Sequence, residues 1–359
     1  MPRFDAFAGI RYATDDLGAV TAPPYDVIDE EQRAALEARH PHNVVHVDLP
    51  RDYDAAGSML REWMAGDVLT TDEPSLYLYR MTADGQSTLG VIGALGLESP
   101  GEGDVLPHEH TTPKAKSDRL DLLRATHANL SPIWGLSLSA GLSKLFDVDT
   151  AVALGAWTDD DGVEHELWRI DEADRIARII ETASSAPIVI ADGHHRYETC
   201  IAFAAERNDL GGVGSTLCFV VELAPDQLTV RPIHRLLTVD VPELVAALHD
   251  EFELDIDGGL ALVTQDGTRP MRRRRDDGEL DTVVLDRALA AVPHEITYQH
   301  GVDHVERAVH EGRADVGVLV RPVTVEQITR YANARDKMPP KSTFFWPKPR
   351  TGTVFRSLD

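Results

Sequence analysis

Residues 185–200 read Ser-Ala-Pro-Ile-Val-Ile-Ala-Asp-Gly-His-His-Arg-Tyr-Glu-Thr-Cys, and this segment predicts the central strand and helix of the protein. Residues 188–191 are apolar and mostly β-branched, which predicts a buried strand. An Asp-Gly pair ends that strand, and residues 197–207 have the apolar spacing of a helix. The pattern therefore places a glycine, two histidines and an arginine where a strand passes into the N-terminus of a helix.

A turn of this kind is suited to binding an anion. Amide N–H groups in the first turn of a helix lack acceptors within the helix, and the helix dipole is positive there. Arg196 adds a planar set of donors that matches phosphate, and His194 and His195 add donors that titrate near neutral pH. The alternative is an ordinary turn whose polar side chains are solvated. We predict phosphate binding.

Composition limits the classes of function. The chain has 359 residues, enough for two or three structural units, and a formal net charge of −25. Such acidity argues against nonspecific binding to nucleic acid or to an anionic membrane. Cys200 and Cys218 are too few for a disulfide framework and fit a reducing interior. The sequence shows neither a membrane-span pattern nor a leader pattern, so we expect a cytoplasmic protein. The sequence gives no oligomeric state.

A second concentration of polar residues spans 106–119. His108, Glu109 and His110 suggest a metal site, but neither a third ligand at a familiar spacing nor a zinc-type cysteine set accompanies them. A cluster of charges around a substrate or a Mg²⁺-nucleotide is the preferred interpretation, and a solvated loop is the alternative. A helix is predicted over 118–125, so that Asp118 and Arg119 lie in its first turn.

Three further segments contribute candidates. A Pro-Pro pair before Tyr25 and Asp26 fixes an extended segment that suits either a site or a rigid loop. The segment 338–352 is rich in proline, aromatic and basic residues, and its Lys341 and Lys348 are suited to offset phosphate charge. Four consecutive arginines at 272–275 suggest nucleic acid, but two aspartates follow them, so an exposed loop or edge strand is preferred.

Periodicity predicts the remaining elements and a mixed α+β fold. The predicted helices are residues 30–39, 55–65, 142–153 and 171–183. The predicted strands are residues 43–49, 76–81, 90–97, 129–138, 164–170 and 217–223. The acidic triplet at 159–161 predicts a solvated hairpin tip. We expect an N-terminal region (1–135) that contributes site loops, a phosphate-binding core (136–240) and a C-terminal α/β region (241–359).

Several of these stretches occur in the same order in one known family. They are Pro-Pro-Tyr-Asp (23–26), His-Glu-His-Thr (108–111), Asp-Arg-Leu (118–120), Ser-Pro-Ile (131–133), the central Ala-Asp-Gly-His-His-Arg-Tyr-Glu (191–198), His234-Arg235 and Lys-Ser-Thr-Phe-Phe-Trp-Pro-Lys (341–348). On these motifs the chain resembles the family named domain of unknown function 1015, over nearly its whole length.

The central motif also resembles the phosphate-binding core shared by ParB partition proteins, sulfiredoxins and ParB-like free serine kinases. That resemblance implies a ParB/sulfiredoxin-like nucleotide-binding core with N-terminal and C-terminal elaborations. His194 stands where sulfiredoxins have their reactive cysteine, which argues against sulfinic-acid repair. We find no DNA-reading helix-turn-helix of the ParB kind. The Asp-Gly-His-His-Arg motif is most similar to that of the serine kinases.

The resemblance implies phosphoryl transfer from ATP or ADP to a small hydroxylated metabolite, with free L-serine as the best candidate. The alternatives are a nucleotide-binding switch without rapid chemistry and a phosphatase of a phosphorylated amino acid. The predicted catalytic residues are Glu109, Asp192 and Asp26, and Mg²⁺ is expected at Asp192 and Glu109. The predicted phosphate- or nucleotide-binding residues are Gly193, His194, His195, Arg196, Tyr197, Lys341 and Lys348. The predicted substrate-binding residues are Tyr25, His108, His110, Asp118, Arg119, His234 and Arg235.

Overall fold

The computed structural model describes residues 1–99, 101–109 and 117–359. His110, a predicted substrate-binding residue, lies outside the described residues. The α-helices of the described part are α1 (Leu17–Val20), α2 (Glu30–Arg39), α3 (Val45–Asp48), α4 (Tyr53–Ala65), α5 (Ser117–Thr126), α6 (Ala173–Ala183), α7 (His194–Glu206), α8 (Val241–Leu248), α9 (Asp281–Leu289), α10 (Val302–His310) and α11 (Val325–Ala334). Short 3₁₀ helices occupy Tyr25–Val27 and Ser143–Leu145.

The strands of the same residues are β1 (Phe4–Asp5), β2 (Gly9–Tyr12), β3 (Leu69–Thr71), β4 (Leu76–Ala83), β5 (Gln86–Gly96), β6 (Val105–Pro107), β7 (Ala128–Asn129), β8 (Ile133–Ser137), β9 (Val152–Thr158), β10 (Glu164–Ile170), β11 (Ile188–Asp192), β12 (Ser215–Glu222), β13 (Thr229–Arg231), β14 (His234–Val239), β15 (Phe252–Leu254), β16 (Leu260–Thr264), β17 (Gly267–Arg273), β18 (His294–Gln299), β19 (Val316–Leu319), β20 (Phe344–Trp346) and β21 (Phe355–Ser357). The chain therefore has the predicted mixed α+β fold.

The chain divides into two compact units. Unit 1 comprises Met1–Pro107, Pro113–Thr229 and Pro347–Asp359, and unit 2 comprises His108–Thr112 and Val230–Trp346. The end of the chain thus returns to unit 1 after unit 2 is complete. The expected boundaries after residues 135 and 240 stay a prediction.

A large mixed sheet forms the centre of unit 1. Its strand order is β6-β11-β8-β12-β5-β4-β10-β9, with β1 added beside β5. Strand β11 pairs in parallel with β6 and antiparallel with β8. Ile188 and Ile190 are at most 2% exposed and pack in the main hydrophobic cluster of this unit. Burial of this strand fixes the position of Asp192 at its carboxyl end.

A smaller sheet of unit 1 holds the end of the chain. Its order is β3-β2-β21-β7, and β21 pairs with both β2 and β7. Phe355 is 1% exposed and packs edge-on against Tyr12. Residues 353–356 are therefore a buried part of unit 1.

Unit 2 contains a six-stranded sheet of order β15-β17-β16-β19-β14-β18. Successive side chains of a strand point to opposite faces, and Leu236 and Leu237 of β14 belong to two different hydrophobic clusters. Helices α8 and α9 contribute to one cluster and α10 to the other. The sheet of unit 2 therefore has helices on both faces.

Most predicted elements are confirmed, and two match residue for residue. The helix at 30–39 and the strand at 164–170 have the predicted bounds. The predicted strand at 43–49 is wrong, because this segment contains α3; the side chain of Asn43 accepts a hydrogen bond from the amide of Val45, the first residue of that helix. The predicted helix at 142–153 is also wrong: a single 3₁₀ turn is followed by the start of β9.

Helices of the described part are too short or too polar to cross a membrane.

Candidate functional site

The turn between β11 and α7 requires a glycine. Gly193 is the N-cap of α7 and has a φ of +90°, in the left-handed region. A β-carbon there would lie 2.9 Å from a methyl carbon of Ile133 and 2.9 Å from the guanidinium of Arg196. Because glycine has no side chain, it cannot cap α7, and the N-terminus of this helix has no side-chain cap. The predicted strand, turn and helix are confirmed here.

Arg196 ties this turn to a neighbouring segment of unit 1. Its Nη1 donates to the hydroxyl of Ser131 and to the carbonyl of Pro132, both at 2.8 Å. Its Nη2 donates to Asp192 Oδ2, also at 2.8 Å. The guanidinium therefore holds the end of β11 and the start of α7 against the residues that lead into β8.

Lys348 reaches the same turn from the end of the chain. Its Nζ lies 2.9 Å from Asp192 Oδ1 and 3.5 Å from Asp26 Oδ2. Burial raises the pKa of the Asp192 carboxyl, but Lys348 and Arg196 lower it more, and the resulting pKa is about 2. Burial lowers the pKa of Lys348, and the two carboxylates raise it by more. The structure thus brings together three predicted site residues that are far apart in sequence.

A buried ion pair anchors the segment that carries Lys348. Arg350 is 3% exposed, and its Nη1 lies 3.2 Å from Asp159 Oδ2. The same carboxylate oxygen lies 3.0 Å from His165 Nε2. Thr351 exchanges backbone hydrogen bonds with Ala22. These contacts hold the backbone that follows Lys348 in place.

Arg119 organises the other side of the candidate site. Its Nη1 donates to Asp48 Oδ1 at 3.0 Å and its Nε to Asp118 Oδ2 at 2.7 Å. Its guanidinium carbon lies 4.2 Å from the centre of the Tyr25 ring, a cation–π contact. Tyr53 donates a short hydrogen bond to Asp118. The predicted residues Tyr25, Asp118 and Arg119 therefore form one group.

Charge links this group to the turn. Arg196 acts on the pKa of Tyr25 and on that of Asp48, as does Arg119. Burial nevertheless raises the pKa of both groups. The predicted residues Asp26, Asp192, Tyr25 and Asp118 thus lie around three cations, Lys348, Arg196 and Arg119.

Asp48 is the site residue that sequence reasoning missed. It ends α3 and is 3% exposed, and Arg119 donates to its Oδ1. Its Oδ2 is buried and has no hydrogen-bond partner among the described residues. The signal in the sequence is an aspartate within the apolar run Val-Val-His-Val-Asp-Leu (44–49), because a buried carboxylate needs a partner.

Two predicted phosphate-binding residues of α7, Tyr197 and His195, have buried or partly buried side chains. Tyr197 is 6% exposed, packs in the main hydrophobic cluster, and its hydroxyl accepts a hydrogen bond from the Glu98 amide at 2.9 Å. His195 is partly buried, and its Nδ1 lacks a hydrogen-bond partner in the described part of the chain. His194 is the first residue of α7. Their predicted roles stay predictions.

The remaining predicted residues belong to unit 2. His108 is 5% exposed, and its Nε2 lies 2.7 Å from the hydroxyl of Thr343 and 3.4 Å from Glu109 Oε2. Glu109 also accepts a hydrogen bond from the amide of Ser342. Lys341 precedes this serine and has a φ of +59°. The structure thus brings Glu109 and His108 together with the segment that follows Lys341.

His234 and Arg235 begin β14 in unit 2 and are buried. His234 Nδ1 accepts a hydrogen bond from the Val320 amide at 3.2 Å, and burial lowers its pKa to about 4. Arg235 is 1% exposed, donates to the Ile233 carbonyl at 2.6 Å and lies 4.8 Å from the centre of the Tyr298 ring. Both buried side chains therefore have their partners within unit 2.

Within the described residues, no three His, Cys, Asp or Glu side chains converge as a metal site would require. The oxygens of Asp192 are occupied by Arg196 and Lys348. The donor set of unit 1 therefore does not fit a resident metal ion, and Mg²⁺ at Asp192 and Glu109 stays a prediction.

Comparison with known proteins gave three kinds of result. No curated protein matches the chain. Among solved structures, SbnI with a C-terminal truncation from Staphylococcus aureus is 12% identical, with a TM-score of 0.43 over 73% of this chain and 85% of that one. A conserved hypothetical protein from Pyrococcus furiosus is 13% identical, with a TM-score of 0.37 over 69% and 90%. A free serine kinase in complex with AMP is 15% identical, with a TM-score of 0.37 over 70% and 88%.

The family comparison covers most of the chain. A family model described as "Protein of unknown function (DUF1015)" matches residues 4–310. These residues include β11, the glycine turn and α7, and they end before the tail that carries Lys348. The chain belongs to the DUF1015 family.

Proposed function

We propose that this protein transfers a phosphoryl group from ATP or ADP to a small hydroxylated metabolite, with free L-serine as the first acceptor to test. The observation that carries the proposal is the position of Lys348. Its ammonium lies 2.9 Å from Asp192, at the point where β11 passes into the uncapped N-terminus of α7. A cation and a helix N-terminus that meet in this way form a binding place for phosphate.

Phosphoryl transfer depends mainly on positioning and on neutralising charge. Lys348 carries three donors on a flexible stem, and the carboxylates of Asp192 and Asp26 orient it. Arg196 holds the turn in shape through three hydrogen bonds. In this proposal Lys348 and the first-turn amides of α7 bind the phosphates, and Arg196 adds positive charge beside them.

Asp192 then serves as an anchor for Lys348. A carboxylate with a pKa of about 2 is a weak acceptor for the proton of an alcohol near neutral pH. Asp26 and Glu109 remain the other carboxylates predicted from the sequence for that role. Mg²⁺ would enter bound to the nucleotide, because the oxygens of Asp192 already face two cations.

The test replaces Lys348 with a neutral residue of similar size. Lys348→Met removes a charge-assisted contact of about 1.5–3 kcal/mol, so we expect the Kd for ADP or ATP to rise about 10- to 100-fold. Isothermal titration calorimetry of the purified protein measures this change. Lys144→Met, at an exposed lysine of the same unit, is the matched control and should leave the Kd unchanged. Equal affinity in Lys348→Met and wild type would contradict the proposal.

A further inference from the structure

A cavity of about 50 Å³ lies inside unit 1 beside Arg196. We call it the Asp48 pocket, and its polar wall includes Asp48, Arg119, Ser131, Arg196, Thr199 and Thr216. Three leucines, an alanine, Asn129 and Cys200 line the rest. A water molecule requires roughly 10–15 Å³ on this measure, so the pocket has room for a few waters or for the polar end of a small molecule.

The polar wall of the pocket contains an unsatisfied carboxylate oxygen. Asp48 is 3% exposed, and its Oδ1 accepts a hydrogen bond from Arg119 at 3.0 Å. Its Oδ2 has no hydrogen-bond partner in the described residues. Buried polar atoms in folded proteins are almost always paired, so this oxygen points to a ligand that donates a hydrogen bond. Burial also raises the pKa of Asp48, against the opposing effect of Arg119 and Arg196.

Arg196 connects the pocket with the glycine turn. It lines the pocket and donates to Asp192 at the end of β11. A group bound in the pocket and a phosphate bound at the turn would therefore approach the same guanidinium. This is the arrangement that transfer between two substrates requires, because the acceptor oxygen must lie close to the phosphorus atom.

We propose that the Asp48 pocket binds the hydroxyl end of a hydroxy acid or hydroxy amino acid of three or four carbons, and that Asp48 Oδ2 accepts its proton. This inference rests on the proposed function. The acceptor oxygen forms a bond to the terminal phosphorus of the nucleotide while the bond from that phosphorus to the bridging oxygen breaks. The leaving nucleotide keeps the electron pair, and the hydroxyl proton passes to Asp48.

The lining of the pocket supports this class of acceptor. Arg119 supplies a positive charge for the acceptor's carboxylate, and the apolar wall formed by leucines such as Leu122 and Leu130 limits the size of the rest. The small volume of the Asp48 pocket excludes large alcohols such as oligosaccharides. A hydroxyl can satisfy the unpartnered Oδ2 of Asp48, because it donates a hydrogen bond.

The test measures acceptor binding and transfer separately. L-serine, D-glycerate and, as a ligand without the hydroxyl, L-alanine are titrated by NMR with and without ADP. We expect L-serine or D-glycerate to bind wild type at least tenfold more tightly than it binds Asp48→Asn, and L-alanine to bind weakly to both. Asp67→Asn, at an exposed aspartate of unit 1, is the matched control. Asp48→Asn should also slow single-turnover transfer by about 100-fold or more.

The two proposals fail in different ways. The proposal for the pocket is overturned if wild type does not bind the hydroxy acids. It is also overturned if Asp48→Asn binds them as tightly as wild type does. Binding of L-alanine as tight as that of L-serine also overturns it, and this comparison needs no variant. Asp48-dependent binding of the hydroxy acids in a protein that does not bind nucleotide would leave the pocket standing and overturn the proposed phosphoryl transfer.

Discussion

The charge of Asp192 is held by two cations, and this determines how it responds to pH. Lys348 and Arg196 bring its pKa to about 2. Since the folded pKa lies below the unfolded value, the carboxylate stabilises the fold above the unfolded pKa. That stabilisation disappears as the pH falls through the folded pKa. The contribution near neutral pH is about 2 kcal/mol, at 1.36 kcal/mol per unit of pKa.

We therefore expect Asp192→Asn to lower the free energy of unfolding by about 2 kcal/mol at pH 7. The difference from wild type should shrink as the pH falls from 4 towards 2, because the wild-type carboxylate becomes protonated there. Urea unfolding followed by circular dichroism at several pH values measures both effects. Asp67→Asn serves as the control. A difference that stays constant down to pH 3 and below would show that Asp192 is not held by the two cations.

The sequence predicts some residues of the site and not others, for a physical reason. The residues of the glycine turn are adjacent, so local pattern is sufficient to find them. The tail lysine could be suggested because its segment combines prolines, aromatics and basic residues. The unsatisfied oxygen of Asp48 could not be predicted, because it depends on the burial of α3 and on a partner, Arg119, that is distant in sequence.

At the scale of the element, the turn before α7 depends on a glycine for two reasons. Gly193 has a positive φ, and a β-carbon at this position would meet Ile133 at 2.9 Å. Gly141 has a similar φ of +86°, but a β-carbon there would meet no atom within 4 Å. The two glycines share the backbone conformation and differ in the space around them.

This contrast gives a matched pair of substitutions. Gly141→Ala should cost about 1 kcal/mol, the usual penalty of a left-handed conformation for an L-residue. Gly193→Ala should cost about 2–3 kcal/mol, because the backbone strain is joined by the contact with Ile133. Urea unfolding of both variants measures the difference. Equal costs would mean that the turn can move without losing stability.

Element prediction failed where side chains from distant segments decide the local structure. The alternation at 43–49 is typical of a strand, but the side-chain Nδ2 of Asn43 donates to the carbonyls of Ala19 and Thr21 and fixes the start of this segment, which continues as α3. The acidic triplet at 159–161 lies at the predicted hairpin tip between β9 and β10, and Asp160 and Asp161 are exposed. The side chain of Asp159 is instead 5% exposed, because it pairs with His165 and Arg350.

At the scale of the whole molecule, two features bear on the proposed anion binding: the net charge, and the order in which the chain forms its two units. The chain carries a net charge of −25, yet three cations of unit 1 converge on the turn and the Asp48 pocket. The proposed binding of an anion must therefore depend on local donors, because the overall field repels anions. The return of the chain to unit 1 after unit 2 delivers one of these donors, Lys348. This long-range closure is the part of the fold that local sequence patterns do not contain.

The most direct test of phosphoryl transfer is phosphorus NMR of the purified protein with Mg²⁺, ATP or ADP, and a pool of hydroxylated metabolites that includes L-serine. We predict a new phosphomonoester signal that is absent without the pool and strongly reduced in Lys348→Met. Broadened nucleotide signals without a new signal would contradict transfer and favour a nucleotide-binding switch. Unchanged nucleotide signals would contradict nucleotide binding at the turn, and the phosphatase alternative would then be the one to test.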